Sequence, residues 1–522
     1  MYQEFQVRVL PKHATQTEEL YNIAAKQAGV SKSRIQRVDI VKRSIDARHA
    51  PVMLNLTIAV HIDNITTPEP QFLAEYKDVS NSPSAVVVGA GPAGLFAALT
   101  LIEKGIKPIV LERGKCVEDR KKDLAQLYKT GTVNPDSNFG FGEGGAGTFS
   151  DGKLFTRSKK RGNVRRTLEI LVYHGAPDNI LTDAHPHIGT DKLPHVISNM
   201  RKAIEKYGGE VHFNCKMEAL QIHNNRVCGV VAAGKEFKTN SVILATGHSA
   251  RDVYRMLHAS GIYIEPKEFA VGMRLEHPQH EIDVMQYHTA DGRGLYLPAA
   301  EYSFVTNICN RGVYSFCMCP GGVVVPAATG AEQQVVNGMS SSARNTPWAN
   351  SAMVTSVGKE ELEFMNHSGL FAGMEFQEKL EKLAYEKAGG KLYAPAQRLV
   401  DFIKRRESRN FPKTSYKPGI TSSDIHNWFP EPLNNRLREG LTQFGRKAKG
   451  FMSENAVLLG VETRTSSPIR IPRHAETLQH NEILGLYPCG EGAGFAGGII
   501  SAAMDGEACA LKLAENEKKF CK

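Results

Sequence analysis

The hydrophobic pattern at the start of the chain predicts a small α+β domain. EFQVRVL, at residues 4–10, alternates apolar and polar positions, and IQRVDIVKRSI and VMLNLTIAVHI are rich in β-branched residues, so each predicts a strand. TEELYNIAAKQAG, between the first two, has apolar residues at helical spacing. The Pro- and Ser-rich stretch TTPEPQFLAEYKDVSNSPS then predicts a linker, so that this domain covers residues 1–80.

A strand, a glycine-rich turn and a helix follow at residues 85–114, AVVVGAGPAGLFAALTLIEKGIKPIVLERG. Gly89 permits the tight turn, Gly91 lets the backbone approach a pyrophosphate, and Gly94 lets the helix pack on the strand. Glu112 ends the next strand, PIVLE, where a carboxylate hydrogen-bonds a ribose. Because the glycines follow a strand, open a helix and are completed by this acid, the segment predicts a dinucleotide-binding unit.

Three further segments combine glycine with a predicted strand, helix or loop. KTNSVILATGHSARD is an apolar strand that ends in Ala-Thr-Gly, and LGLYPCGEGAGFAGGIISAAMDGEACALKLA is a strand, a glycine-rich turn and a helix near the C-terminus. SNFGFGEGGAGTFSDGKLFTR, residues 137–157, predicts a loop that passes close to a flat ligand, which would bring Ser150, Asp151 and Lys153 to the reacting face. The alternative is a surface loop with no ligand.

Composition limits the class of protein. With 522 residues the chain exceeds what one hydrophobic core usually supports, and 41% hydrophobic with 23% charged residues is typical of globular proteins. No secretory h-region, no long apolar run and nine scattered cysteines together predict a cytoplasmic protein with reduced thiols and no membrane span. A net charge of +9 permits an anionic partner without requiring one.

Six motifs in order, VVVGAGPAGLFAAL, FGEGGAGTFSDGKL, ILATGHSARD, FCMCPGG, GVETRTSSPIRI and YPCGEGAGFAGGI, resemble those of a family of bacterial FAD-dependent dehydrogenase-like proteins. The resemblance covers nearly the whole chain and implies FAD and a fold, but no substrate. It implies that Glu491 meets the ribityl chain and that the amides of residues 497–499 face the flavin pyrimidine. The predicted FAD contacts are Gly89, Gly91, Pro92, Ala93, Gly94, Glu112, Arg113, Gly144, Gly145, Ala146, Gly147, Met217, Ala245, Thr246, Gly247, Gly490, Glu491, Gly497, Gly498 and Ile499.

The predicted fold is α/β: a Rossmann-like FAD-binding domain with a mostly parallel sheet in three layers, an inserted cap domain that contains a sheet, and the small N-terminal α+β domain. A remoter likeness to aromatic-hydroxylase and geranylgeranyl-reductase-type flavoproteins implies the cap. The FAD-binding domain would cover residues 81–265 and 455–522, with the cap at 266–454. The substrate pocket would lie at the seam between these two domains.

Five residues of the predicted seam are candidates for catalysis. Arg274 and Arg464 could grip an anionic or carbonyl-bearing substrate, or each could form a structural ion pair with Glu276 or Glu462. His277, like His248, could be a general acid or a structural histidine. Two further candidates, Cys317 and Cys319, would lie on one face of a strand, with nearly parallel Cβ vectors that disfavour a disulfide. One or both thiols could face the flavin, or they could only pack.

The leading functional hypothesis is an FAD-dependent oxidoreductase that moves a hydride between flavin N5 and an organic small molecule. No second dinucleotide fingerprint is present, so NADH or NADPH would bind only transiently as an electron donor. A rival is a nucleic-acid-binding, RNA-modifying flavoprotein that uses Lys42, Arg43, Arg48 and the basic run 157–166. A third is a binding protein that keeps FAD without catalysis. The spacing of histidines and cysteines predicts no metal site.

Overall fold

The fold is described from a computed structural model that covers residues 2–63, 72–156 and 162–520, with side chains to residue 517. Part of the predicted linker and residues 157–161 of the basic run lie outside the described residues. Within the described ranges, none of the helices combines the length and the apolar content that crossing a bilayer requires.

The N-terminal domain is a three-stranded antiparallel sheet with helices on one face, as the hydrophobic pattern predicts. Its elements are β1 (Tyr2–Val9), α1 (Pro11–Ala14), α2 (Thr17–Ala28), β2 (Ile35–Asp46) and β3 (Met53–Ile62). The strand order is β1-β3-β2. Leu56, Ile58 and Val60 point from the central strand into the core beneath α2, so the period-2 alternation decides which face is buried.

This domain contacts both of the larger parts of the molecule. The Arg43 amide donates to the Thr182 carbonyl, and the Ala184 amide donates to the Arg43 carbonyl, both at 2.9 Å, so β2 extends by a short pairing to a loop of the next domain. On the other side, Val52 is buried in the same hydrophobic cluster as Phe444 and Phe451 of the cap. The N-terminal domain is therefore part of the common structure rather than a separate appendage.

The second domain is built on a five-stranded sheet of order β22-β10-β4-β5-β6, in which every pair is parallel. Its first part contains β4 (Ser84–Val88), α3 (Pro92–Glu103), β5 (Lys107–Leu111), α4 (Val117–Thr130), α5 (Val164–Tyr173), α6 (Leu193–Lys206), β6 (Glu210–His212), β7 (Met217–His223), β8 (Arg226–Ala232), β9 (Lys235–Lys238), β10 (Val242–Leu244), α7 (Arg251–Ala259) and β11 (Glu265–Pro266). Strands β7, β8 and β9 form a separate antiparallel sheet.

The cap is built on a seven-stranded sheet of order β13-β14-β17-β12-β20-β18-β19. Its elements are β12 (Phe269–Pro278), α8 (Gln279–Tyr287), β13 (Val305–Ile308), β14 (Arg311–Cys319), β15 (Gly322–Pro326), β16 (Val336–Ser340), β17 (Trp348–Val357), α9 (Lys359–Phe364), α10 (Ala372–Lys387), β18 (Ala394–Arg398), α11 (Leu399–Lys404), β19 (Ile420–Ser422), α12 (Ile425–Trp428), α13 (Leu433–Lys447) and β20 (Val457–Glu462). The chain then returns to the second domain as β21 (Ile469–Arg470), β22 (Leu486–Pro488) and α14 (Ile499–Phe520).

The two faces of the cap sheet differ. Val271, Met273 and Leu275 of β12 pack with the helices into one large core. Ala270 and Arg274, which alternate with them, lie on the opposite face beside the hairpin of β15 and β16. The predicted fold class is confirmed, a parallel sheet with an inserted cap sheet and an N-terminal α+β domain. The predicted domain limits stay predictions, and the last cap strand, β20, lies beyond residue 454.

The α3 helix lies at the centre of the second domain. It is apolar on all sides, and its residues from Ala93 to Ile102 are buried, because the sheet covers one face and α14 the other. The approach of α14 is close: a Cβ placed on Gly506 would lie 2.0 Å from the Ala93 carbonyl oxygen. Only glycine permits this contact, which fixes the starts of both helices near one another.

Candidate functional site

Four glycine segments that are distant in sequence meet above the carboxyl ends of the parallel strands. A Cβ placed on Gly145 would lie 3.2 Å from the Gly91 Cα, and one on Gly147 would lie 3.3 Å from the Ile499 side chain. A Cβ placed on Gly492 would lie 2.6 Å from the Gly247 carbonyl oxygen, which is closer still. We call the surface formed by residues 89–94, 144–147, 246–249 and 491–499 the glycine groove.

The groove is open where a ligand would lie. A Cβ placed on Gly247, Gly497 or Gly498 would meet no atom of the described residues within 4 Å, and one on Gly91 would meet only the Gly145 Cα, at 3.9 Å. The N-terminus of α3 has no side-chain cap, and that of α14 follows directly on Gly498. Two helix N-termini with accessible amides make a surface suited to the phosphate groups of a dinucleotide.

Glu112 holds the groove together. Its Oε2 accepts a hydrogen bond from the Ala90 amide at 2.9 Å, and its Oε1 accepts from Gly114 and Gly142 at 2.8 and 3.1 Å. The side chain is only 5% exposed. A carboxylate has about four acceptor positions, so one remains after these three bonds. The residue predicted to bind a ribose therefore also joins the first glycine turn to the loop that contains Gly142.

The other predicted cofactor residues divide into those on the groove and those beneath it. Arg113 is ion-paired with Asp136 and Asp252, and its guanidinium lies 4.2 Å from the centre of the Phe141 ring. Met217 is buried in the core behind the sheet. The predicted residues on the groove are exposed or half-buried: Gly89, Gly91, Pro92, Gly145, Ala146, Gly147, Thr246, Gly247, Glu491, Gly497, Gly498 and Ile499. The predicted residues beneath it are buried and support it: Ala93, Gly94, Gly144, Ala245 and Gly490.

Arg120, which the sequence did not single out, shapes the glycine-rich loop. It is fully buried and donates to the carbonyl oxygens of Asn138, Phe139 and Glu143 at 2.8–3.0 Å. Burial lowers the pKa of Arg120 to about 10. A charged group at this depth is retained by its hydrogen bonds, so the loop is a rigid part of the groove rather than a mobile surface segment.

The groove continues towards the cap through His248. His248 Nδ1 lies 3.5 Å from Glu491 Oε2, and the ring is also near enough to Glu462, at the end of β20, to interact with it electrostatically. Burial raises the pKa of the Glu462 carboxyl, against the attraction of nearby Arg274. We call the region marked by His248, Glu462, Cys317 and Lys153, which are linked by electrostatic interactions, the recess. It lies where the parallel-sheet domain meets the cap.

Cys317 lines the recess. Its surface is exposed, yet protein surrounds the thiol closely enough to raise the pKa of Cys317 to about 12, with Arg274 opposing this effect. A side chain that water can reach within a crowded part of the molecule has both properties. The charges of Lys153 and Glu462 act on the same thiol. The Cys317 thiol therefore stays protonated near neutral pH.

The strand around Cys317 and Cys319 is irregular, unlike the regular strand predicted. Cys317 has φ +44°, and the pairing of β14 with β17 shifts register between Phe316 and Cys319. Met318 packs into the helix-covered core, whereas Cys319 is buried with its Sγ 3.4 Å from Arg274 Nη2 on the other side. Both thiols are free. The two side chains thus differ in exposure, and only Cys317 reaches open space.

Arg274 is a structural residue, which corrects the prediction that it grips a substrate. It is 0% exposed, and Nε donates to Asn350 Oδ1 at 2.8 Å, Nη1 to Glu462 at 3.2 Å and Nη2 to the Cys317 carbonyl at 2.7 Å. The ion-pair alternative with Glu462 is the one observed. Because its donors are used, Arg274 fixes the backbone of Cys317 instead of contacting a ligand.

Arg464 is also used internally, with a partner that the sequence did not indicate. Its guanidinium donates to Glu381 at 2.9 and 3.0 Å and to Thr329 and Gln333 of the cap. Arg251 binds the same carboxylate from the other side, at 2.7 and 2.9 Å. The two guanidinium groups outweigh burial and hold the pKa of Glu381 below its ordinary value. Neither Glu276 nor Glu462 is its partner, so the prediction of a substrate-gripping Arg464 has no support in this geometry.

His277 lies in an aromatic cluster of the cap core. It is 1% exposed, its Nε2 is 2.8 Å from the Phe451 carbonyl oxygen, and its ring contacts Phe451 and Tyr302. Burial lowers its pKa, so the ring is neutral. It sits on the helix-covered side of β12, opposite Arg274. The structural alternative therefore describes His277 better than a role as general acid.

The loop after the second glycine segment, residues 144–147, joins the two domains at the recess. Asp151 forms a buried ion pair with Arg344 of the cap, and Lys153 Nζ lies 3.3 Å from Glu301. His185 lies 2.5 Å from the same Glu301, and these cations lower the pKa of that carboxyl. Asp151 and Lys153 were predicted to reach the reacting face. Lys153 does interact electrostatically with the Cys317 thiol, whereas Asp151 accepts hydrogen bonds from Arg344.

One group of metal-ligand types lies beneath the groove. Cys489, Asp505 and Cys509 have potential ligand atoms within 4.8 Å of one another. The Asp505 carboxylate is already bound by the Arg473 guanidinium, whose Nη1 also lies 3.3 Å from Cys509 Sγ. The group therefore supports the turn after β22, where the Gly490 amide donates to Asp505 at 2.7 Å.

Three successive parts of the chain match known protein families or domains. Residues 83–272 match the family of pyridine nucleotide-disulphide oxidoreductases, and residues 268–465 match the C-terminal domain of an FAD-dependent protein family. Residues 1–61 match a domain of unknown function. An uncharacterized protein of Clostridium beijerinckii is 42% identical over 510 residues, which span 94% of both chains. The chain belongs to this FAD-dependent family. The family is one of oxidoreductases, and its cofactor is FAD.

The groove fits the cofactor of the family. The open space over Gly91, Gly247, Gly497 and Gly498 and the two helix N-termini match a ligand that is flat and carries phosphates. Solved structures with a similar arrangement are distant. CtdE in complex with FAD shares 11% identity over 83% of this chain and 85% of its own, with a TM-score of 0.32. L-proline dehydrogenase from P. horikoshii shares 12% over 83% and 94%, with a TM-score of 0.33.

Proposed function

We propose that the protein is an FAD-dependent oxidoreductase that transfers a hydride between the flavin and an organic small molecule held in the recess. One observation carries the proposal: His248, on the open glycine groove, is near both Glu491 and Glu462, and Glu462 and Lys153 act in turn on the exposed Cys317 thiol of the cap. A dinucleotide groove that borders a junction between two domains is an arrangement that such transfer uses.

The groove residues would hold FAD in the following way. The amides at the start of α3, next to Gly91, and those at the start of α14, next to Gly498, would bind negative charge. Glu112 would use its remaining acceptor position for a ribose hydroxyl. Bound FAD supplies an acceptor or donor of hydride at N5. The amides of Gly498 and Ile499 would favour negative charge on a ring placed against them.

The recess residues would position the substrate and move its proton. The Cys317 thiol keeps its proton at neutral pH and lies beside the cation of Lys153, so it can donate a hydrogen bond to a substrate oxygen. His248, 3.5 Å from Glu491, lies between the groove and the recess and is placed to pass a proton between them. On the face of β12 that bears Arg274, the partly buried Tyr314 and Phe316 cover Ala270, Ala352 and Val354, and these two rings would offer an apolar surface to the carbon skeleton of a substrate.

The test is to fill the groove without disturbing the fold. Gly497→Val places a branched side chain into the open space, at a backbone position with no positive φ and no neighbour within 4 Å among the described residues. We expect the variant to unfold at the wild-type temperature as apoprotein but to bind FAD at least tenfold more weakly. Gly497→Ala, which fills less of the space, is expected to have an intermediate affinity. FAD titration followed by flavin fluorescence measures both.

Reduction of the bound flavin separates catalysis from simple binding. Anaerobic mixing of the FAD-loaded protein with NADH or NADPH, followed by a screen of organic substrates, is expected to bleach flavin absorbance with at least one donor and restore it with an acceptor. Normal FAD affinity in Gly497→Val would show that FAD does not lie in this groove. A tightly bound flavin that no donor reduces would favour the binding-protein alternative.

A further inference from the structure

The positive charge of the chain is concentrated in one part of the cap. Residues 404–449 contain eleven Lys and Arg against four Asp and Glu, a net charge of +7, whereas the whole chain has a net charge of +9. The rest of the protein is therefore almost neutral. Most of these cations are exposed, on the end of α11, the loop that follows it and the outer face of α13. A local excess of this size creates an attractive field for an anionic partner.

A cavity of about 360 Å³ lies within this basic region, between the end of α11 and the outer face of α13. It is lined by Ile403, Asn435, Arg438, Glu439, Thr442, Gln443 and Arg446. Arg438, Thr442 and Arg446 follow one another at intervals of four residues, so they lie along one stripe of the helix. The two arginines are thus about 12 Å apart along the helix axis, at 1.5 Å per residue.

Arg438 has donor capacity that the protein leaves unused. Its Nη1 is shielded from water and has no hydrogen-bond partner among the described residues, while Nη2 donates to Asn435 Oδ1 at 2.9 Å. Within the same described ranges, no carboxylate lies at ion-pair distance from Arg438 or Arg446. A shielded guanidinium nitrogen without an acceptor is costly, and a small rotation of the Arg438 side chain towards an anion in the cavity would satisfy it.

In a second surface cavity, by contrast, the protein itself supplies the acceptors for an arginine. That cavity, of about 380 Å³, is lined by Arg166 together with Glu103 and Glu507. Arg166 binds Glu103 at 2.6 Å and Glu507 at 2.8 Å. The acids in its wall neutralise it. In the α13 cavity the only acid in the wall, Glu439, forms no ion pair with either arginine among the described residues.

We propose that the α13 cavity and the cations around it bind a chain of phosphates, such as the backbone of a single-stranded nucleic acid or inorganic polyphosphate. A single phosphate would engage one arginine of the cavity, whereas Arg438 and Arg446 are separated by two helical turns. The cations also extend past the cavity: Arg405 acts on the same His426 ring as Arg438, and exposed Lys404 precedes it. A ligand with several phosphates uses all of them.

Fluorescence anisotropy of a labelled 20-nucleotide oligouridylate, added to the FAD-loaded protein at 50 and 200 mM salt, tests the proposal. The variant is Arg438→Glu combined with Arg446→Glu. Its control is Lys121→Glu combined with Lys129→Glu, which makes the same change of charge at the same spacing on the exposed face of α4. We expect the arginine variant to bind at least tenfold more weakly at 50 mM salt. Its slope of log affinity against log salt should fall by about 1.4, for two lost phosphate contacts.

Unlabelled polyphosphate and orthophosphate distinguish the sources. Displacement of the oligonucleotide by polyphosphate supports the site and shows that it reads phosphates and not bases, whereas failure to displace it assigns the site to nucleic acid. Displacement by orthophosphate at equal phosphate concentration would overturn the proposal of a chain. Absence of binding at 50 mM salt, or equal weakening in the two charge-reversal variants, would overturn it as well. Flavin absorbance and the unfolding temperature verify that both variants fold.

Discussion

Arg464 Nη2 lies 2.9 Å from Glu381 Oε2, and this carboxylate is shared with Arg251. Glu381 is fully buried on α10, whereas the two arginines come from the return segment after β20 and from α7. The ion pair therefore joins the cap to the parallel-sheet domain. It replaces the ligand contact that the sequence suggested for Arg464.

Glu381→Gln is expected to lower the free energy of unfolding by about 3–5 kcal/mol, because it leaves two buried guanidinium groups without their counter-charge. Urea denaturation measures the change. Glu378→Gln is the matched control: Glu378 lies on the same helix and pairs with Arg255, but this pair is partly exposed and is expected to contribute less than about 1 kcal/mol. Equal losses in the two variants would contradict the assignment.

Glu276 gives the protein a predictable dependence on pH. Burial raises the pKa of Glu276 to about 7, from an ordinary value of 4.5, and the Ser415 amide and hydroxyl donate to it. Between these two values the folded protein keeps a proton that the unfolded chain has released. Stability therefore falls as pH rises through this window, by about 3 kcal/mol at 1.36 kcal/mol per pKa unit.

Glu276→Gln removes this titration, because glutamine stays neutral at every pH. The unfolding temperature of Glu276→Gln minus that of the wild type is expected to be larger at pH 8 than at pH 5. Thermal unfolding followed by circular dichroism at both pH values measures the difference. The same pH dependence in variant and wild type would show that Glu276 is ionised in the folded protein.

Cys317 is expected to resist alkylation although it is exposed. The thiolate is the reactive form, and a pKa of about 12 leaves very little of it at pH 7.5. N-ethylmaleimide labelling followed by peptide mass spectrometry should show at least a hundredfold slower reaction at Cys317 than at Cys309, which is exposed in a turn. Labelling in guanidinium chloride should bring the two rates together. Similar rates in the native protein would place Cys317 on the outer surface.

The N-terminal domain and the cap are expected to unfold together. Val52→Ala should lower the free energy of unfolding by about 1–3 kcal/mol, because it leaves a cavity in the core shared with Phe444 and Phe451. Both tryptophans, Trp348 and Trp428, lie in the cap, so their fluorescence reports on that domain. Val41→Ala, at an exposed site of β2, is the control. A cap transition unmoved by Val52→Ala would show that the two domains are independent.

The features predictable from the sequence are those encoded by neighbouring residues. The turn from Gly89 to Gly94 lies between a strand and a helix because its glycines, the apolar strand and the helix formers are contiguous. The side chains whose roles were predicted less well have partners that are distant in the sequence. Arg464 meets Glu381 only after the cap has folded, and nothing near position 464 indicates α10.

Local irregularity explains the other differences. The alternation of YSFCMCP predicts a regular strand. The pairing of β14 instead shifts register at Cys317, so that Cys317 is exposed and Cys319 is buried. The left-handed φ of Cys317 and the hydrogen bond from Arg274 to its carbonyl give no signal in hydrophobic periodicity. Arg274 and His277 were both candidates for the same pocket, but they lie on opposite faces of one strand, so the period of two along a strand excludes that both face the recess.

The position of Val52 in the cap core also has a consequence for synthesis of the chain. On the ribosome, this residue emerges roughly 400 residues before Phe451, which at 5–20 residues per second is a delay of about 20–80 s. The parallel sheet is incomplete for still longer, because its edge strand β22 is synthesised near the C-terminus. The nascent protein therefore displays an apolar surface for most of its translation. Its yield in cells should depend on chaperones that cover this surface until the last helix is released.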